Sequence, residues 1–112
     1  MAPVLVVPEP PRLLRRIPVK EGAEVLHLSV QDHFVEVNTC EGTHSLRMRF
    51  RDALGELEGV NGYRVHRSHW VAADAIVSVE REQSRLYLCL KNGKKVPVSR
   101  NYRPLLEEVG VL

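Results

Sequence analysis

YRVHRSHWV, residues 63–71, sets two patterns against each other. Tyr63 and Val65 alternate with Arg64 and His66, the period-two rhythm of a half-buried strand. Carried further, that rhythm would send Arg67 into the core beside Val65, and an unpaired buried guanidinium is strongly disfavoured. Either the strand bends near His66 or something outside the chain meets Arg67.

Outward from this stretch the chain reads as strands. VLHLSV (25–30) and HFVEVNT (33–39) are β-rich, and in the second Val35 and Val37 share a face opposite Phe34, Glu36 and Asn38. Glu41-Gly42 predicts a turn into HSLRMRF (44–50), where Leu46, Met48 and Phe50 face one way and Ser45, Arg47 and Arg49 the other. Arg47, Arg49 and Arg51 are then expected to leave one side of the sheet as a like-charged row, for which a phosphate backbone is a natural counterpart. A solvent-facing row answered by acids on a neighbouring strand is the plainer account. Asp52 is placed to cap a short helix carrying Leu54 and Leu57 that ends by Gly59 or Gly62.

Downstream, WVAADAIVSVE is expected to turn Val77 and Val79 inward, and RLYLCLK to turn Leu86, Leu88 and Leu90 inward. Asn92-Gly93 is a hairpin turn, followed by KKVPVS with Val96 and Val98 inward and Pro97 on an edge strand or pointing outward. Ser99 or Asn101 caps a terminal helix that tolerates Pro104 in its first turn, with Leu105, Leu106 and Val109 as the buried stripe. His27 alternates with Leu26 and Leu28 and is expected at the surface or an edge. The sum is a mainly β domain with two short helices over 17–112. Pro3, Pro8, Pro10 and Pro11 mark residues 1–16 as a linker or N-terminal extension, with order beginning near Ile17.

The 112 residues, 44% hydrophobic and 27% charged, suit one soluble domain with one core. No apolar run approaches the roughly 18 residues of a membrane span. VLVV at 4–7 has no basic flank and is followed by Pro8, a poor signal peptide. Cys40 and Cys89 are therefore expected as free thiols and the domain as cytoplasmic, whether or not a parent protein is membrane-anchored. A net charge of +2 conceals segregation. Arg12, Arg15, Arg16 and Lys20 form an acid-free run, as do Arg47, Arg49 and Arg51, then Arg64 and Arg67, then Lys91, Lys94, Lys95, Arg100 and Arg103. Segregated signs can build a basic face that favours polyanions, although each run alone also reads as solvated surface.

His66 and His69 give one His-x-x-His without a partnering Cys-x-x-Cys, which does not make a zinc site. Histidines could serve as acid and base in a nuclease, but no Gly-x-Ser-x-Gly, Walker or paired-carboxylate signature supports an enzyme. No catalytic residue, metal ligand or cofactor is expected. Arg67 and Arg100 are different. Each follows an inward valine by two residues (Val65, Val98) where a strand gives way, which suits the two parallel donors of arginine to guanine O6 and N7. A strand-end arginine in a surface salt bridge is the bland alternative.

GYRVHRSHWVAADAIVSVE followed by RLYLCLKNGKKVPVSRNYRPLL resembles the LytTR DNA-binding domain of bacterial response regulators, and RMRFRDALGELE resembles that family's short-helix segment. The resemblance runs over about residues 17–109. It implies an elongated arrangement of small antiparallel sheets, and transcription regulation in two-component systems. It also implies double-stranded DNA with direct-repeat sites, loops in successive major grooves, and bending. Carried over by position, it implies His33, Arg67 and Arg100 as base-reading residues, and Ser68, Asn101, Arg103, Arg47 and Arg49 on the DNA backbone. Ala72 departs from a commonly seen asparagine. A homodimer on DNA, weak or monomeric when free, and a receiver or membrane sensor in the parent protein are further expectations. The rival is a non-catalytic protein-interaction module using the same basic face for an acidic partner.

Overall fold

The structure, a computed structural model, describes residues 10–112. VLVV and the prolines at 3 and 8 lie outside the described residues. Strands β1 (Val25–Gln31), β2 (Phe34–Thr39) and β3 (Gly42–Arg47) lead into helix α1 (Phe50–Gly55). β4 (Gly62–His66), β5 (His69–Ala72), β6 (Ile76–Glu82), β7 (Arg85–Leu90) and β8 (Lys95–Val98) follow, and helix α2 (Arg103–Glu108) closes the chain. The strands form two antiparallel sheets, β3-β2-β1-β5-β4 and β6-β7-β8. The molecule is elongated, with extents of 54 × 38 × 23 Å. The mainly β architecture with two short helices is the one expected. Among the described residues no helix is long and apolar enough to cross a membrane.

One apolar cluster serves both sheets. Leu28, Val35, Val37, Val65 and Val71 of the first meet Leu86, Leu88, Leu90, Val96 and Val98 of the second, with Leu106 of α2 fully buried. Period-two alternation placed each of these correctly on β7 and β8. Pro97 sits on the edge strand β8, where a missing donor costs least.

Six expectations need correction. Residues 12–16 are not linker: Arg12–Arg16 is a 3-10 turn that buries Leu13 and Leu14, with Arg16 paired to Glu56 at 2.7 Å and Arg12 to Glu58. The arginine row does not leave one sheet face, because β3 ends at Arg47 and Arg49 already precedes α1. Phe50, Ala53, Leu54 and Leu57 have helical spacing toward the core, and that burial overrides the period-two pattern. Asp52 therefore lies inside the helix and makes no cap; Ser99 stands before a 3-10 turn without a capping bond from its side chain, and Asn101 lies inside that turn. Val77 and Val79 are 66% and 42% exposed, since β6 is an edge strand with a bulge between Ile76 and Ser78. α2 is only six residues long and buries Leu106 alone, leaving Leu105 and Val109 exposed.

His27 is the sixth. Its strand is central, flanked by β2 and β5, so its ring is 4% exposed and must find partners. Asn38 Oδ1 accepts from Thr43 Oγ1 at 2.6 Å and from Lys94 Nζ at 2.7 Å. Its amide nitrogen is thereby turned to His27 Nδ1 at 3.1 Å, which leaves His27 Nε2 to donate to His69 Nδ1 at 2.9 Å. Lys94 stands in the β7–β8 turn, so this polar string crosses from one sheet to the other.

The answer to the opening conflict is a β-bulge. Tyr63 pairs with Val71 and Arg64 with Trp70, but His66 pairs with His69, so Val65 is the extra residue. Val65 stays fully buried, and Arg67 becomes a turn residue instead of a strand residue. The Val65 carbonyl accepts the Ser99 N–H at 2.9 Å, tying the end of β4 to the end of β8.

Gly62 opens β4 beneath Trp70: a Cβ there would lie 2.1 Å from the indole and 2.6 Å from the Val71 carbonyl. Gly62→Ala is expected to lower stability by roughly 1–3 kcal/mol, read by urea denaturation through the fluorescence of Trp70, the sole tryptophan. Burial, with the neighbouring His69 and Lys94 charges, lowers the His27 pKa to about 4. Burial lowers that of His69 too. The unfolded chain therefore binds more protons between pH 6.5 and about 4. Stability is full above that window and declines as the pH falls, at up to roughly 1.4 kcal/mol per pH unit for His27 alone. Urea denaturation across the window checks this, and His27→Gln should flatten the dependence.

Candidate nucleic-acid interface

The strand register gathers the expected site residues at one end of the molecule. Gln31 pairs with Phe34, so Asp32 and His33 form the two-residue turn between β1 and β2, with Asp32 at φ 54°. Phe34 also pairs with Arg47, which puts the exit of β3 beside that turn. Arg67 and Ser68 form the β4–β5 turn, and the Val30 N–H donates to the Ser68 carbonyl at 3.0 Å, so the two turns adjoin. The Ser99–Val65 hydrogen bond brings the second sheet to the same rim, where Arg100 opens a 3-10 turn (Arg100–Tyr102).

His33, Arg47, Arg49, Arg67, Arg100 and Asn101 are all exposed, while Ser68 and Arg103 are partly covered. His33, Arg47 and Arg49 line one hollow of about 280 Å³, which Asp32 also borders. Arg100 and Arg103 line another of about 430 Å³ together with His66 and Ser99. Arg67, Ser68 and Asn101 border neither hollow. Arg103 is held, its guanidinium donating to the Ser84 carbonyl at 2.9 Å.

Ion pairing separates the cations by location. Arg12, Arg16, Lys91 and Lys95 have carboxylate partners. Among the described residues Arg47, Arg49, Arg67 and Arg100 have none. These four exposed guanidinium groups stand on or beside the turns of this rim. They present a positive rim to a polyanion, with no ion pair of their own to break first.

The turn that carries Arg67 is braced from several sides. His66 Nδ1 accepts the Ser68 N–H at 3.1 Å, and the His66 ring meets His69 edge-on at 5.2 Å between centroids. Arg64 donates to the Arg67 carbonyl at 2.9 Å. Its guanidinium also lies 5.2 Å from the Phe50 ring centroid and 5.7 Å from that of Tyr102. One side chain therefore spans α1, the Arg67 turn and the segment after Arg100, held by cation–π contact on both rings. Sequence reasoning missed Arg64, because strand alternation marks it only as an outward residue; the nearby Phe50 and Tyr102 are brought in by tertiary packing. Trp70 is buried under this region and is not offered to solvent. Among the described residues no group of His, Cys, Asp and Glu is arranged to hold a metal ion.

Comparison with known proteins agrees with this fold. The family profile of the LytTr DNA-binding domain matches residues 15–110. Among solved structures, the chain is similar to a LytTr DNA-binding domain from Bacillus cereus, described as that of a methyl-accepting/DNA response regulator. The TM-score is 0.66 at 27% sequence identity, covering 77% of this chain and 81% of that one. Comparison with curated proteins gives no match. A basic rim of hairpin turns on paired antiparallel sheets, within a match that takes in nearly the whole chain, establishes that the protein belongs to the LytTR family of DNA-binding domains and meets DNA in regulating transcription.

Proposed function

We propose that the domain binds double-stranded DNA sequence-specifically, with His33, Arg67 and Arg100 reading base edges. Arg47, Arg49, Ser68, Asn101 and Arg103 position it on the phosphate backbone. The observation that carries this reading is the Ser99–Val65 hydrogen bond. It sets two unpaired guanidinium groups, Arg67 and Arg100, on adjoining turns of one rim. Arginine offers guanine two parallel donors in the major groove, and Arg67 is held between two strands while Arg100 stands between the end of a strand and the closing helix. Ser68 and Asn101 follow the readers directly in the chain, within reach of the flanking phosphates.

In this reading the turns enter successive major grooves of a direct-repeat site and bend it. Two copies occupy such a site and associate weakly when free. A receiver or a membrane sensor in the parent protein supplies the signal. The domain has a recognition role, not a catalytic one.

Selection from a random duplex library tests the reading. A recovered repeated motif supports it, whereas salt-dependent retention without sequence preference favours an acidic protein partner for the same face. Arg67→Ala and Arg100→Ala should each weaken binding to the selected site by about 1–3 kcal/mol and relax preference at one position. Arg47→Ala should weaken selected and random duplexes alike and lower the salt slope by roughly one. Equal losses on both duplexes for all three variants would refute the assignment of readers. Arg64→Leu, which removes no base contact, should reduce affinity for the selected site several-fold more than for random DNA, measured by fluorescence anisotropy.

A further inference from the structure

The hollow beside Arg100 contains a cation that the reading above leaves unused. Leu86 pairs with Val98, so the β6–β7 turn and the first residue of β7, Arg85, lie alongside the end of β8. His66, Arg85, Tyr87, Ser99, Arg100 and Arg103 face this groove, and no carboxylate lines it. Glu82 stands directly across the ladder from Arg85 and is its obvious partner. That carboxylate is instead bonded to Lys95 Nζ at 2.6 Å, and Glu80 is held by the same ammonium at 2.9 Å. Lys95 also lies 5.1 Å from the Tyr87 ring centroid, which helps keep it on that side. Arg85 is left exposed and without an ion pair among the described residues.

Arg103 gives the groove a fixed floor. One guanidinium nitrogen is anchored on the Ser84 carbonyl, adjacent to Arg85 in the chain. Its Nε–H is buried and finds no acceptor among the described residues. The groove wall, rich in cationic donors and without a carboxylate, is complementary to an oxyanion. Three guanidinium groups and an imidazole around a hollow of about 430 Å³ leave room for a phosphodiester.

We propose that this groove is a phosphate subsite in which Arg85, beside the anchored Arg103, grips a DNA backbone phosphate next to the bases faced by Arg100. The inference rests on the reading of Arg100 as facing DNA, and it adds the β6–β7 turn to the contact surface. Arg85 then contributes charge and position but no sequence preference.

The test is the salt dependence of binding by the whole chain, measured on the duplex selected from the random library and on a random duplex. Arg85→Gln should weaken both by the same several-fold factor. It should flatten the slope of log K against log salt by about one unit and leave the selected sequence unchanged. Arg85→Lys should retain the slope. Arg81→Gln, an exposed arginine on β6 outside the groove, should leave both quantities as they are. An unaltered slope for Arg85→Gln, in a chain that still selects its sequence, overturns the phosphate subsite and leaves the DNA reading intact. A loss confined to the selected duplex also overturns it, by making Arg85 a reader. A parent chain that selects no sequence overturns both.

Discussion

One extra residue in one strand decides how this molecule is arranged. With Val65 bulged, β4 keeps its valine in the core and still turns the next residues outward. Without it, period-two geometry would bury the guanidinium of Arg67 or expel the valine, and either costs several kcal/mol. The bulge also directs the Val65 carbonyl at Ser99, and that bond joins the two sheets at the rim where the basic turns meet. The two sheets could share one apolar cluster in many relative positions. This contact selects one that brings the turns carrying Arg67 and Arg100 to the same rim.

A second tie acts from the far side of the same turn. The string Lys94–Asn38–His27–His69 begins in the β7–β8 turn of the second sheet and ends at the first residue of β5, immediately after Ser68. Each link fixes the next: the two acceptor sites on Asn38 Oδ1 are filled, which orients its amide, which sets the tautomer of His27. Buried polar networks that are fully satisfied hold one geometry far more tightly than an apolar contact does. Residues 66–69 are thus held by main chain through Val65, by side chains through His69, and by Arg64 donating to the carbonyl of Arg67.

What the sequence made legible, and what it did not, follows from how local each feature is. The alternation on β7 and β8 and the turn chemistry at Asn92-Gly93 depend on neighbours in the chain and are found as expected. The proposed readers Arg67 and Arg100 stood out because each breaks a local rule, a charge arriving where a core residue was due. His27 was misjudged because its burial depends on which strands flank β1, which no local pattern states. Val77 and Val79 erred in the opposite direction, as an edge strand outruns the core it should face. The arginine row failed where periods of two and of about 3.6 overlap, at Met48 to Phe50. Arg64 and Arg85 carry no local signal; the first is defined by two aromatic rings from distant segments, the second by a carboxylate occupied elsewhere.

The turns holding His33 and Arg67 are each two residues long and bounded by ladder pairs on both sides. Their side chains are exposed and add nothing to the apolar cluster. Exchanging either residue therefore leaves the scaffold's stability almost untouched, so these positions are free to drift in evolution while Val65, Asn38 and Trp70 are not. A duplicated copy of this domain could acquire a new preference through one or two codon changes without passing through an unfolded intermediate.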